Sequence, residues 1–381
     1  MEHHPSKTAL LITRNLPPLV GGMERLVWHI ADALAQEYQL HVIGPAGCAA
    51  HLPAGVSTSE IPIKPLWRFL LRVKWASIVQ AIRRKPSVVF AGSGLTAPFA
   101  WLAARLTGTK CVVYLHGLDI EAQHPVYRLL WRPFFKRFDL VFVNSHFTHN
   151  LALDAGVSAE RLRLLHPGVQ LPAMDSAKQQ RKAFRQQHNL GERPVLLYVG
   201  RITARKGLLP FVRDIFPAIL AERPDTHLLV IGDEPTHALH QPDSPRQKIT
   251  EALIHQGNTH RVSFLSKQDD QQLSQAYFAA DVHIFPVQDS PGDFEGFGMV
   301  AIEAAAHGLA TVAFNVGGVA DAVADGVSGR LIPAGDNAAF ACAVRQLIAD
   351  PMDSAHTRQF AERFAWHSFD ALLHQYLRDM Q

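Results

Sequence analysis

The sequence predicts an α/β protein built from two parallel-sheet domains. Short apolar runs alternate with amphipathic segments of helical period from end to end, the signature of repeated strand–helix units. The 381 residues exceed what one hydrophobic core usually serves. A polar stretch near mid-chain interrupts the rhythm. In the first half the predicted strands are Thr8–Ile12, Gln39–Ile43, Val88–Ala91, Cys111–Leu115 and Leu140–Val143, with helices between them such as Met23–Ala35. In the second half they are Val195–Val199, His227–Ile231, Arg261–Phe264, Val282–Phe285 and Ala310–Ala313. The Gln- and Lys-rich stretch Ala173–Leu190 reads as a linker, so the first domain is expected over residues 1–172 and the second from 173. Ligands of open parallel sheets bind beyond the carboxyl ends of the strands, so two facing sheets predict an active-site cleft.

Composition narrows the function classes. Hydrophobic residues make up 48% and charged residues 19%, the balance of a globular enzyme and far from a disordered chain. Cys48, Cys111 and Cys342 lie far apart, which encodes neither a disulfide framework nor a zinc knuckle and fits a reducing cytoplasm. The run Thr8–Ile12 is too short for a signal-peptide core, and no apolar stretch approaches the roughly 20 residues that span a bilayer. The expectation is a cytoplasmic protein. Net charge is only +3, yet positive residues gather within the first 140 positions.

The strongest chemical signal is Glu295-Gly296-Phe297-Gly298-Met299-Val300-Ala301-Ile302-Glu303, a glycine-containing turn that feeds a helix from the end of a strand. The helix start leaves unpaired N–H groups that favour a phosphate, and the two carboxylates flank a ligand from two sides, one for a ribose and one for a sugar. A lone first-turn glutamate complementing the helix dipole is the plain alternative. The nine-residue context favours the ligand.

Gly200-Arg201-Ile202-Thr203-Ala204-Arg205-Lys206-Gly207 follows a strand directly. There Arg201 can fork onto phosphate oxygens while Lys206 supplies a point charge, which suits a departing diphosphate. A solvated basic loop is the alternative; nucleic-acid binding is set aside because no basic stripe with stacking aromatics accompanies it. Gly21 and Gly22 precede a helix and make an anion or sugar site, although the dinucleotide fingerprint is missing. His116, at a strand tip in Tyr114-Leu115-His116-Gly117-Leu118-Asp119, is placed to bond a sugar hydroxyl, with Asp119 to orient it or an acceptor; a histidine satisfied by backbone is the alternative.

Together these residues resemble family 4 glycosyltransferases, which have the GT-B fold of two facing Rossmann-like domains. The series continues with Asn144-Ser145, His166-Pro167-Gly168-Val169, Gly232-Asp233, Asn315-Val316-Gly317-Gly318 and Asp325-Gly326-Val327-Ser328-Gly329, so the match spans nearly the whole chain. The resemblance implies a retaining hexosyltransferase with a nucleotide diphosphate sugar as co-substrate and neither cofactor nor metal. Arg201 and Lys206 would hold the diphosphate, Glu303 the ribose and Glu295 the donor sugar. Gly200, Gly232, Gly296, Phe297, Gly298, Met299 and Val300 would complete the donor site, with Gly21 and Gly22 as the cleft floor. His116 would sit beside the reacting sugar, and Asp119, Asn144 and Ser145 near the acceptor. The departing phosphate would help deprotonate the acceptor on the same face. Residues 173–358 would be the donor domain, and 359–381 terminal helices crossing back to the first. Asp321 stands where the family often has Glu, and Gly232-Asp233-Glu234-Pro235 replaces a more glycine-rich turn, which bears on the base. GDP-mannose is favoured over UDP-sugars.

The acceptor is expected to be a glycan or lipid-linked, as in cell-surface polysaccharide, lipopolysaccharide or glycolipid synthesis. Lys64–Lys85 and Tyr127–Phe138 interleave cations with aromatic and aliphatic residues, which suits the anionic inner face of the plasma membrane; ordinary amphipathic helices with solvated faces are the alternative. The pairs His146/His149 and His237/His240 lack a carboxylate or cysteine set, so no metal is predicted. Two rivals remain: a nucleotide-sugar epimerase on the same fold, which needs an acid/base pair, and a non-catalytic two-lobed sugar-binding protein.

Overall fold

The computed structural model describes residues 7–122, 124–234, 244–290 and 292–380. The chain divides into two units, one of residues Met1–Gly168 with Trp366–Gln381 and the other of Val169–Ala365. The return to the first unit thus begins at Trp366, and the helix Ser354–Glu362 belongs to the second.

The first unit holds a seven-stranded sheet of order β3-β2-β1-β4-β5-β6-β7, all neighbours parallel. Its strands are β1 Thr8–Ile12, β2 Gln39–Pro45, β3 Ser57–Ile61, β4 Val88–Ala91, β5 Lys110–Leu115, β6 Leu140–Val143 and β7 Leu162–Leu164. The central strands β4 and β6 are apolar throughout because both faces are covered. In β1, Leu10 and Ile12 join a core with Phe69 and Val73 of the helix Leu66–Arg84, while Ala9 and Leu11 join another with Val27 and Ile30 of the helix Gly22–Glu37. The C-terminal helix Trp366–Met380 adds Phe369, Leu373 and Leu377 to that second core.

The second unit repeats the plan with a parallel six-stranded sheet of order β10-β9-β8-β11-β12-β13. The strands are β8 Val195–Val199, β9 His227–Ile231, β10 Val262–Leu265, β11 Val282–Phe285, β12 Thr311–Phe314 and β13 Gly329–Ile332. Strand alternation again splits neighbours between faces: Leu196 and Tyr198 enter one core, Val195, Leu197 and Val199 the other.

The stretch Ala173–Leu190 is not a linker. It carries the helix Ala177–Gln187, whose Arg181 and Arg185 grip the two oxygens of Asp281, each at 2.7 Å. The same aspartate accepts from the Val195 N–H at the start of β8. The helix is polar because its partners are a carboxylate and the carbonyls of Phe278, Ala279 and Ala280.

Candidate active site

In the second unit, three loops leave the carboxyl ends of β8, β11 and β12 and tie together through their backbones. The Gln288 N–H donates to the Arg205 carbonyl at 2.8 Å, and the Gly318 N–H to the Glu295 carbonyl at 2.8 Å. Two glycines permit this closeness. A Cβ on Gly207 (φ +74°) would fall 1.7 Å from the Pro286 carbonyl oxygen, and one on Gly317 (φ +55°) 2.4 Å from that of Glu295. Gly200 and Gly232, which follow β8 and β9, also abut: a Cβ on Gly232 would lie 2.1 Å from the Gly200 carbonyl oxygen.

The lacing brings Glu295 to two cations. Its Oε2 accepts from Arg205 Nη1 at 2.5 Å and from Lys206 Nζ at 2.6 Å, and Arg205 Nε lies 3.0 Å from Asp293. Burial works against the Glu295 charge, but Lys206 and Arg205 outweigh it and hold the carboxyl below the usual carboxylate range. Burial likewise lowers the Lys206 pKa against the pull of Glu295, and the ammonium stands 5.1 Å from the Phe285 ring centre. Among the described residues these bonds use one carboxylate oxygen of Glu295 and one of three Lys206 N–H donors, leaving the others for a ligand. Arg201 is exposed beside them.

The helix Met299–Ala306 begins directly after Gly298, so its first N–H groups open at the end of β11. Glu303 lies one turn in, and the Tyr277 hydroxyl donates to its Oε2 at 3.0 Å. The ring of Phe297 is committed elsewhere: it is buried in the core against Phe364, at 5.8 Å between centres. Met299 and Val300 are partly buried against the same core, and Gly296 lies in the connecting loop.

The first unit sets out a second row of polar groups after β4, β5 and β6. His116 is buried, and its Nε2 donates to the Gly92 carbonyl at 2.9 Å. A carbonyl only accepts, so Nε2 carries a proton, and in the Nε2–H tautomer Nδ1 is the ring's acceptor. Asp119 does not orient that ring; its Oδ2 accepts from the His116 backbone N–H at 3.2 Å. Asn144 donates to the His116 carbonyl at 3.3 Å, while its Oδ1 and the Ser93 Oγ are buried without a partner among the described residues. Ser145 is fully buried and caps the helix His146–Asp154 by accepting from the Thr148 N–H, so its hydroxyl is used within the fold. Gly21 and Gly22 are exposed at the start of their helix. The Glu24 carboxylate folds back to within 2.5 Å of where a Gly21 Cβ would stand, and it accepts from Asn15 Nδ2 at 2.9 Å. A carboxylate already occupies that helix start, which favours a sugar hydroxyl over an anion there.

The sequence motifs assign no role to Arg205, Asp293 or Tyr277. Arg205 was visible as the second cation of the loop, whereas Tyr277 lies in the helix Asp270–Ala279 with no motif around it. His237 and His240 lie outside the described residues.

Comparison with known proteins settles the class. Residues 20–171 match the family described as Glycosyltransferase Family 4, and residues 193–350 match Glycosyl transferases group 1. The chain belongs to glycosyltransferase family 4. Among its relatives is a GDP-mannose-dependent alpha-(1-6)-phosphatidylinositol monomannoside mannosyltransferase of Mycolicibacterium smegmatis, 27% identical over 91% of this chain and 90% of the relative. A D-inositol 3-phosphate glycosyltransferase of the same organism is 35% identical over 58% of this chain and 48% of its own. In fold, this glycosyltransferase resembles Anabaena HepE solved with UDP, with a TM-score of 0.81, 19% identity and coverage of 98% and 100% of the two chains. Sucrose-phosphate synthase of Thermosynechococcus elongatus gives 0.79 at 23% identity, covering 98% and 99%. The two-domain GT-B fold expected from the sequence is therefore present, and the activity is glycosyl transfer. Epimerisation and silent sugar binding yield to it.

Proposed function

We propose that this glycosyltransferase moves a hexose, with retention and without a metal, from a GDP-mannose-like donor to a glycan or lipid-linked acceptor of cell-surface polysaccharide or glycolipid synthesis in the cytoplasm. The observation that carries the reading is the largely buried Glu295 side chain, 13% exposed, paired with Lys206 and Arg205 beside the exposed Arg201. Three cations at the strand ends can take up the charge that develops on a departing nucleoside diphosphate, the task a divalent ion performs elsewhere. The free oxygen of Glu295 accepts from a donor-sugar hydroxyl, and Glu303 from the ribose. In the first unit, His116, with Nδ1 as acceptor, and the buried Asn144 Oδ1 suit sugar or acceptor hydroxyls. The leaving phosphate takes the acceptor proton on the face it departs from. The named mannosyltransferase relative supports GDP-mannose as donor.

Thermal-shift measurements in EDTA with GDP, UDP, ADP, TDP and CDP test this, because a ligand bound by the native state alone raises the melting temperature. The expected result is the largest rise with GDP, abolished in Lys206→Ala while far-UV circular dichroism is unchanged. A rise with UDP alone would reassign the donor. No rise with any diphosphate would remove the basis of the assigned site.

A further inference from the structure

The helix Leu66–Arg84 is apolar on two opposite faces. Phe69, Val73, Ser77 and Ala81 step four residues at a time along one side and are buried against the sheet. Trp67, Leu71, Trp75 and Val79 step likewise along the other, joined by Ile82, and all five are exposed, Trp67 by 58% and Trp75 by 63%. At 3.6 residues per turn the two stripes point nearly 180° apart. Folding accounts for the first stripe and leaves the second unexplained, since an outward face is ordinarily polar.

Charge says what covers it. Arg68, Arg72 and Arg83 run along one border of the exposed stripe and Lys74 along the other, and the helix contains no acidic residue. Arg68 stands over the Trp67 ring at 5.0 Å and Lys74 over Trp75 at 5.9 Å, so each exposed indole carries a cation beside it. On the same side of the sheet, Leu129 of the helix Pro125–Leu130 is 74% exposed and Leu130 is also exposed. The aromatics of that second basic segment turn inward, with Phe135 and Phe138 in the core and Trp131 stacked on Tyr127. It therefore contributes leucines, not an aromatic anchor.

We propose that the exposed stripe of Leu66–Arg84 docks on an anionic lipid leaflet, with Trp67, Leu71, Trp75 and Val79 entering the acyl boundary and the bordering cations on the headgroups. A second copy of the chain fits poorly, because two such cation-bordered faces repel. Apolar insertion and headgroup attraction each supply part of the binding, so both the tryptophans and the lipid charge are required. The docking does not depend on which nucleotide sugar the enzyme uses.

The test is flotation of the full chain with vesicles of phosphatidylcholine alone and with phosphatidylglycerol added, at low and high salt, beside its size-exclusion profile without lipid. Binding is expected to phosphatidylglycerol vesicles, weakened by salt, with a blue shift of tryptophan emission. Trp67→Ser/Trp75→Ser is expected to weaken partition at least tenfold, and Arg68→Ser/Arg72→Ser to remove most of the dependence on lipid charge. Both should leave the melting temperature unchanged, because the replaced side chains are exposed. Failure of the native chain to float with anionic vesicles, or equal flotation of the tryptophan variant, overturns the proposal. So does a dimer in solution that the tryptophan variant turns into monomer, which would make the stripe an interface between copies.

Discussion

Tyr277 holds the second glutamate of the site through a neutral hydroxyl. Its donation to Glu303 at 3.0 Å fixes one carboxylate oxygen, while its ring stacks on His307 at 4.9 Å. Tyr277→Phe keeps the stacking and deletes that hydrogen bond, a loss of about 1 kcal/mol. If Glu303 grips the ribose in ground and transition states alike, KM for the donor should rise roughly fivefold with kcat little changed. A fall in kcat at constant KM would instead place Glu303 at the reacting centre. At Glu295 two cations converge on one oxygen, and the residue that completes the cluster is Arg205, adjacent in sequence to the lysine on which the family resemblance fixes attention. Charge pattern announced a basic loop. It did not say which guanidinium turns inward.

The helix Ala177–Gln187 shows how an element is misread. Its composition is that of a solvated connector, and its anchoring partner Asp281 lies 96 positions from Arg185. Arg185 is only 7% exposed and burial lowers its pKa against the pull of Asp281, so the charge stays because that carboxylate and the carbonyls of Ala279, Gly191 and Arg193 receive it. Breaking a partly buried pair leaves an uncompensated cation, so Asp281→Ala should destabilise the protein by about 3 kcal/mol, measured by urea denaturation. A change within about 0.5 kcal/mol would return the helix to the status of an ornament on the surface. Strands teach a complementary lesson. β3, β7 and β13 escaped the sequence reading, and all three are sheet edges. An edge strand need not be apolar on both faces, so Ser57-Thr58-Ser59-Glu60-Ile61 pairs with β2 without the apolar run that marks a central strand.

Across the whole molecule, burial keeps a set of histidines neutral. His29, His41, His227 and His307 have pKa values lowered from 6.5 to about 4, and His283 to about 3, with desolvation the leading cause in each. The unfolded chain binds protons at these positions below about pH 6.5 while the native chain does not. Stability from them is therefore complete above pH 6.5 and is lost as pH falls toward 4. The melting temperature should decline steadily from about pH 7 to pH 4.5, before most carboxylates titrate. A flat profile over that window would show that these histidines are solvated in the native state.

By itself the sequence determined the α/β class, ten of the strands to within a residue or two, and the loops that carry the chemistry. Those features are written in local periodicity and in glycines next to strand ends. Tertiary structure decided which loops meet. Glu295 reaches Arg205 across 90 positions because β8 and β11 are neighbours in the sheet, an adjacency set by packing of the helices between them. It also decided that the aromatics of Lys64–Lys85 divide between core and surface, since the sheet that buries Phe69 leaves Trp67 and Trp75 facing out. A local pattern records that a residue is apolar; which side of its helix meets a sheet follows only when the sheet is there.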